Sequence, residues 1–335
     1  MAAQAPAFWQ GRGPVAQLLR PLSCLFGALA ARRRAAIVPQ RLPVPVIVVG
    51  NIAVGGSGKT PVVDWLAAQL RAAGRRPGIV SRGHGGRISA QGGVAVVPAD
   101  GDADRYGDEP VLLARLTGCP LAIGRDRPAA ARELLRLHPD CDVLIADDGM
   151  QHYRLARDLE IAVVDEATLG NRLLLPAGPL REPLARLGEV DLIVAHGALS
   201  PALRAATAGV PVFSMQLQGG ELRALADPAR TRPAADFRGQ RVHAVAGIGR
   251  PQRFFEQLAG EGIEVVPHPF PDHHRFVAAD LDFGEALPIL MTAKDAVKCA
   301  AFAPADCWEY PVRAQIGSGA AERILEKLED GRTSA

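Results

Sequence analysis

The sequence predicts an α/β fold: a mainly parallel sheet covered by helices, followed by a second, smaller α/β unit. Three observations carry this expectation. Short apolar runs rich in β-branched residues alternate with helix-period segments from Val44 to about Val212, as in a parallel sheet with helical crossovers. Strand–helix alternation resumes at Arg241-Val242-His243-Ala244-Val245-Ala246, after a Pro-, Arg- and Ala-rich stretch at 226–240. The chain has 335 residues, more than one hydrophobic core usually supports. The expected order is an N-terminal arm (1–38), a nucleotide-binding core (39–212), a short two-stranded connector (213–240) and the second α/β domain (241–330).

Composition sets the outer limits. With 48% hydrophobic and 22% charged residues, the chain is an ordinary globular one and not a disordered one. The formal net charge of +2 hides a partition: no Asp or Glu precedes Asp64, so residues 1–63 carry +7 and residues 64–335 carry −5. A nucleic-acid partner is disfavoured, because such a protein spreads positive charge over its folded body. The basic side chains are 34 Arg and only four Lys, at 59, 294, 298 and 327. Five cysteines without a CxxC pair suggest reduced thiols in a cytosolic protein.

In the arm, Val15, Leu18, Leu19, Leu22, Leu25, Phe26 and Leu29 recur at helical spacing and Arg32, Arg33 and Arg34 follow. The pattern suits an amphipathic helix lying in a membrane interface. It also suits a helix packed on the protein's own core, or an organelle transit peptide. Pro21 marks a kink or a helix start. No run of about 18 strongly apolar residues occurs, which argues against a conventional spanning helix.

Val44 to Val49 reads as a buried strand, and Asn51-Ile52-Ala53-Val54-Gly55-Gly56-Ser57-Gly58-Lys59-Thr60 leads into a helix-period run through Val63, Leu66, Ala67 and Leu70. Strand, glycine-rich loop, Lys-Thr, helix is the P-loop order. Residues 53–60 would cradle phosphates with their N–H groups, Lys59 would reach the β- and γ-phosphates, and Thr60 would complete a Mg²⁺ shell. Ala53 stands where the strict pattern has its first glycine. A P-loop also needs an acid at the end of a neighbouring strand. Val143-Leu144-Ile145-Ala146-Asp147-Asp148 is preferred, because polar Gly149-Met150-Gln151-His152 follows it; Asp165 is read as a strand-end residue.

Further polar strings fall where parallel strands should end, the ligand-binding edge of open α/β sheets. They are Ser81-Arg82-Gly83-His84-Gly85, Gly107-Asp108-Glu109-Pro110, Asp126-Arg127 and Leu180-Arg181-Glu182-Pro183. Read alone, Asp108 with Pro110 is a good helix start. Thr292-Ala293-Lys294-Asp295 does not fit the N/T-K-x-D guanine element, because its Lys and Asp are adjacent. Val212–Leu217 and Glu221–Leu225 around Gln218-Gly219-Gly220 read as the two-stranded connector. Gly247-Ile248-Gly249-Arg250-Pro251 reads as a strand-to-helix turn, since a third glycine is missing.

Taken in order, GNIAVGGSGKTP (50–61), SRGHG (81–85), GDEP (107–110), DDGMQH (147–152), LPAGPLREP (175–183), PDHH (271–274) and TAKDAVK (292–298) resemble the tetraacyldisaccharide 4′-kinase family, the lipid A 4′-kinases. The resemblance spans about residues 45–300. It implies phosphoryl transfer from ATP to the 4′-hydroxyl of a tetraacylated disaccharide 1-phosphate, giving lipid IVA at the cytoplasmic face of the bacterial inner membrane. It favours the interfacial reading of the arm and implies no obligate protein partner. It assigns the base role to Asp108 with His273 assisting, His274 being the neighbouring alternative. Mg²⁺ would be held by Thr60, Asp147 and Glu109. Arg82, Arg127, Gln151 and Arg181 are candidates for gripping the acceptor's phosphate and sugar, since Arg offers a planar fork; Asp148 joins that group.

The family commonly has Tyr at His84 and Glu at Ala293, and Lys294 and Lys298 have no derived role. Since His273 and Asp108 fall in different units, the site is expected between them. Two readings from other classes are a membrane-targeted nucleotide switch or metallochaperone, and a non-catalytic nucleotide-binding module.

Overall fold

The structure is a computed structural model that describes residues 6–333; the first five residues of the predicted arm lie outside the described residues. Nine strands form the first sheet, in the order Val312–Ile316, Val212–Gly219, Leu192–His196, Leu159–Val164, Val46–Gly50, Val143–Asp147, Pro77–Ser81, Leu121–Gly124 and Val94–Val96. All neighbours are parallel except the pair at each edge. Val46–Gly50 is central and buried throughout, which is why it reads as an unbroken apolar run and not as an alternating one. Ile47 and Val49 enter one core with Val63, Leu66 and Leu70 of the helix Lys59–Ala72, while Val46 and Val48 enter another on the opposite face.

The second sheet orders Thr231–Arg232, Leu222–Ala224, Cys307–Tyr310, Ile289–Thr292, Arg241–Ala246 and Glu264–Pro269. Its last four strands are parallel. Phe254, Phe255 and Leu258 of the helix Pro251–Gly260 cover one face, and the Gly247–Arg250 segment is the expected strand-to-helix turn.

The connector is two-stranded, but its partners differ from the expected ones. Val212–Gly219 does not pair with the strand that follows it. It pairs antiparallel with Val312–Ile316, from Val312 opposite Gly219 to Ile316 opposite Met215. Leu222–Ala224 belongs to the second sheet, on Cys307–Tyr310. One strand thus leaves the first unit and a strand about a hundred residues later returns to it. Gly219 looked like a hairpin residue; its reason is close approach, since a Cβ there would overlap the Tyr310 hydroxyl. The boundaries at 213–240 and 241–330 are corrected accordingly. The second sheet begins within the supposed connector and ends at Tyr310, and the final helix, Ala320–Thr333, sends Ile324 and Leu328 into the first unit's core.

The arm forms a helix over Pro14–Ala35. It starts at Pro14 and continues through Pro21, so Pro21 is not the helix start. Ala16 and Ser23 face inward, and a Cβ on Gly27 would meet Leu174. These small residues let the helix lie against the 171–177 segment, where Ser23 Oγ donates to Leu174 O at 2.8 Å and accepts from Ala177 N–H at 3.0 Å. Asn171 adds side-chain bonds to Phe8 O, Gly11 O and Ala177 O at 3.3, 3.0 and 2.9 Å. Val15, Leu18, Leu22, Leu25 and Leu29 point away and are exposed. Contrary to the sequence reading, these 22 residues are long and apolar enough to cross a bilayer by length and composition, with a mean hydropathy of 1.3 over the best window. Only 11% of that window is buried, so it is not a core helix.

Asn171→Ala leaves the Ala177 carbonyl and the Leu173 N–H without partners. It should cost about 1–3 kcal/mol, read by urea denaturation, and should speed proteolysis between residues 6 and 14.

Candidate active site

The carboxyl ends of the parallel strands in both sheets face one cleft, where Lys59 and Asp108 each open a helix and Asp147 ends a strand. Val46–Gly50 hands over to the phosphate loop. Gly55 and Gly58 take φ of +114° and +80°, which side chains avoid. No side chain caps the helix that begins at Lys59 and no acid sits in its first turn, so its positive end is open to an anion. Nothing lies within 4 Å of where a Cβ would stand on Gly55 or Gly56. Ser57 Oγ and Asn51 Oδ1 are buried without a hydrogen-bond partner. An uncapped helix start, an orphaned hydroxyl and a lysine suit a polyphosphate. Ala53 is buried and needs no left-handed backbone; it bridges to Leu180, and Val54 N–H donates to Pro179 O at 2.9 Å.

Asp147 ends the neighbouring strand, 4% exposed, and accepts from Ser81 Oγ at 2.9 Å. Burial, with Glu109 and Asp148 nearby, pushes its carboxyl up to about 6. Asp148 turns out of the strand with φ of 46° and meets Lys59 Nζ at 3.4 Å and Arg181 at 3.1 Å. Burial opposes its charge, but those two cations hold it well below the usual carboxylate range. Gln151 accepts from Arg181 at 3.2 Å and donates to Asn51 O and Glu182, both at 3.0 Å. Thr60, the second residue of the helix after the loop, is half-buried. Lys59, Asp148, Arg181 and Gln151 are thus linked in one cluster.

Asp108 and Glu109 of the first unit, with His273 and Lys294 of the second, form the opposite wall. Asp108 opens the helix Asp108–Thr117 and is 6% exposed. Gly107 before it has φ of 97°, and a Cβ there would overlap the His84 carbonyl, so the two loops close on each other. Asp108 does not cap the helix: Oδ1 accepts from Glu109 N–H at 2.9 Å, and Oδ2 lies 2.9 Å from His273 Nδ1. Burial works against its charge, yet the His273 hydrogen bond and Lys294 draw its carboxyl down to about 2. The same hydrogen bond raises the proton affinity of His273 against burial and Lys294. His274 turns away to Asp280 at 2.9 Å, so the geometry selects His273. The His84 ring stands edge-on to His273 at 5.4 Å.

Several residues escaped the sequence reading. Lys294 Nζ lies 3.0 Å from Glu109, 3.2 Å from Asp272 and 3.3 Å from His273 Nε2. Burial opposes its charge, but Glu109, Asp108 and Asp272 raise its pKa. Only its rarity and its family string marked it in the sequence. Lys298 instead pairs with the fully buried Asp295 at 2.7 Å, which also accepts from Gly247 N–H at 2.8 Å. Asp165 receives Arg250 and Arg253 from the second unit at 2.7 and 2.8 Å. No local signal pairs residues so far apart.

Between this cleft and the arm lies a cavity of about 1280 Å³. Phe26, Ala30 and Leu174 form its apolar side, and Arg82, Arg127 and Arg181 lie on the polar side. Arg127 departs from the gripping role expected of it. It is 1% exposed, and its guanidinium is committed to Gly124 O and Asp147 O at 2.8 and 3.2 Å. It braces the strand ends beneath the cavity; Arg82 is exposed and Arg181 reaches into the cleft.

Asp147→Asn removes the most crowded buried carboxylate. It should raise the melting temperature of the nucleotide-free protein by on the order of 2 °C in a calorimetric scan and abolish Mg²⁺-dependent turnover. An unchanged or lower melting temperature would show that the crowding is not costly.

Comparisons with known proteins bear on the fold and the family. The family model described as Tetraacyldisaccharide-1-P 4'-kinase matches residues 15–329. The chain is 68% identical to the Tetraacyldisaccharide 4'-kinase of Azoarcus sp. (strain BH72), over 99% of this chain and 97% of the relative. It is 66% identical to that of Aromatoleum aromaticum, over 100% of both chains. It is also similar to the crystal structure of LpxK from Aquifex aeolicus in complex with ATP, with a TM-score of 0.77 and 28% identity over 94% of this chain and 99% of that one. The strings that line the cleft are therefore held in a fold shared with these proteins, and the chain belongs to the tetraacyldisaccharide-1-P 4'-kinase family.

Proposed function

We propose that this chain transfers the γ-phosphoryl group of ATP to the 4′-hydroxyl of a tetraacyldisaccharide 1-phosphate, giving lipid IVA. The observation that carries the reading is the facing of an uncapped phosphate loop and the pair of a buried Asp108 with a half-buried His273 across one cleft, beside a cavity that is apolar on one side and arginine-lined on the other. Residues 53–60 hold the phosphates, and Lys59 exchanges Asp148 for phosphate oxygens. Thr60, Asp147 and Glu109 are the oxygen donors that would hold Mg²⁺, which neutralises charge on the transferred group.

Asp108, kept ionised, takes the proton of the attacking hydroxyl, and His273 orients the carboxylate. Arg181 with Gln151 and Arg82 position the acceptor headgroup, Arg127 fixes the wall behind them, and Asp148 holds Arg181 in place. The acyl chains leave the cavity along the apolar face of Pro14–Ala35. Its exposed leucines, with Arg32, Arg33 and Arg34 at the helix end, seat the protein on an anionic bilayer, at the cytoplasmic face of the inner membrane.

With γ-labelled ATP and tetraacyldisaccharide 1-phosphate, the wild type should label the lipid and Lys59→Ala should not. Asp108→Asn should retain ATP binding and lose about 10²–10⁴-fold in turnover. Label released only to water would instead favour a nucleotide switch, and binding without either product a non-catalytic module.

Replacing Leu18, Leu22, Leu25 and Leu29 by Ser removes the exposed face without touching the docked one. The variant should stay in the supernatant when anionic liposomes are pelleted. Continued pelleting would remove the helix from the membrane-binding role.

A further inference from the structure

His273 stands between two neighbours that demand opposite things of its ring. Nδ1 lies 2.9 Å from Asp108 Oδ2, and Nε2 lies 3.3 Å from Lys294 Nζ. An ionised carboxylate can only accept a hydrogen bond and an ammonium can only donate one. The hydrogen must therefore sit on Nδ1, and Nε2 must present its lone pair. An imidazolium would set an N–H against the ammonium, and the Nε2–H tautomer would leave both contacts mismatched.

The ammonium is itself fixed. Glu109 at 3.0 Å, Asp272 at 3.2 Å and His273 at 3.3 Å are three acceptors for its three N–H bonds. Asp272 Oδ1 also accepts the His273 backbone N–H at 3.0 Å, so backbone and ring are held by the same pair of charges. The hold has a cost to offset, because His273 has a φ of 58°, a left-handed conformation that non-glycine residues seldom adopt. Lys294 also spans the cleft, linking the second unit's own Asp272 to Glu109 of the first.

We infer that Lys294 is a positioning residue for the phosphoryl transfer, keeping Nε2 of His273 unprotonated and holding the ring's orientation against Asp108. The inference rests on the reading that Asp108 and His273 manage the acceptor's proton. It does not require Lys294 to touch ATP or the lipid.

The test compares wild type with Lys294→Met, which keeps the stem and removes the donor, and with Lys294→Arg, which keeps a pure donor. Long-range ¹⁵N–¹H spectra, with the His273 signal assigned by its loss in His273→Gln, should show the Nδ1–H tautomer in the wild type and in Lys294→Arg. Lys294→Met should populate the imidazolium at a pH where the wild type is neutral, since Asp108 still holds a hydrogen on Nδ1. Its kcat should fall about 10- to 100-fold, with KM for ATP and for the lipid within about twofold of wild type, and Lys294→Arg should recover part of the loss.

A His273 as free of imidazolium in Lys294→Met as in the wild type overturns the inference, as does a loss expressed wholly in KM for ATP. Should Lys294→Met fail to fold by its melting curve, Lys294→Gln replaces it with the same expected and overturning results. Wild-type turnover in Asp108→Asn would defeat the proton-transfer reading alone, leaving the tautomer result to judge Lys294 separately.

Discussion

Five carboxylates, Asp108, Glu109, Asp147, Asp148 and Asp272, share one cleft, and the structure depends on how their charge is balanced. Two lysines and one arginine do most of this: Lys59 and Arg181 on Asp148, and Lys294 on Glu109 and Asp272. Burial disfavours a charge and like charges repel, and Asp147, which lacks a cation of its own at contact distance among the described residues, has a proton affinity raised first by burial and then by Glu109 and Asp148. The cleft is thus poised for cations and for the phosphates that Lys59 can reach. Rigid surroundings keep it so. Arg127 is buried among backbone carbonyls, and the Lys298–Asp295 pair ties the helix bearing Lys294 to the turn at Gly247.

The same balance explains the use of two units. The acids of the first sheet and the His–Lys pair of the second can meet only if strand ends from both sheets face each other. The pair Val212–Gly219 and Val312–Ile316 makes this possible, because the chain leaves and re-enters the first sheet side by side. Arg250 and Arg253 on Asp165, and Arg115 on Glu309 at 3.2 Å, add ion pairs across the junction. Two adjacent connecting strands form a narrow link, which suits relative movement of the units about the cleft.

Much of the site was legible because its parts are local. A phosphate loop is one turn between a strand and a helix, so Gly55 to Thr60 could be read directly. Asp147 followed from the rule that parallel strands end at the ligand edge. Asp108 looked like a helix cap because, within its own string, it could be one; its partner lies 165 residues away. Arg127 was misjudged for a related reason. An exposed and a buried arginine at a turn have the same sequence, and only the packing of Gly124 and Asp147 around it separates them.

The sequence by itself determined the α/β class, the phosphate loop with its lysine, the acid at the neighbouring strand end and the one-sided arm, because each is written in residues close together along the chain. Only the tertiary structure decided that the connector's second strand comes from Val312–Ile316, that His273 and not His274 meets Asp108, and that Lys294 stands at the centre of the site. Those outcomes depend on distances between residues that are far apart in sequence. Pairing of strands and charges at such separation is fixed by the packing of whole sheets, which no local pattern records.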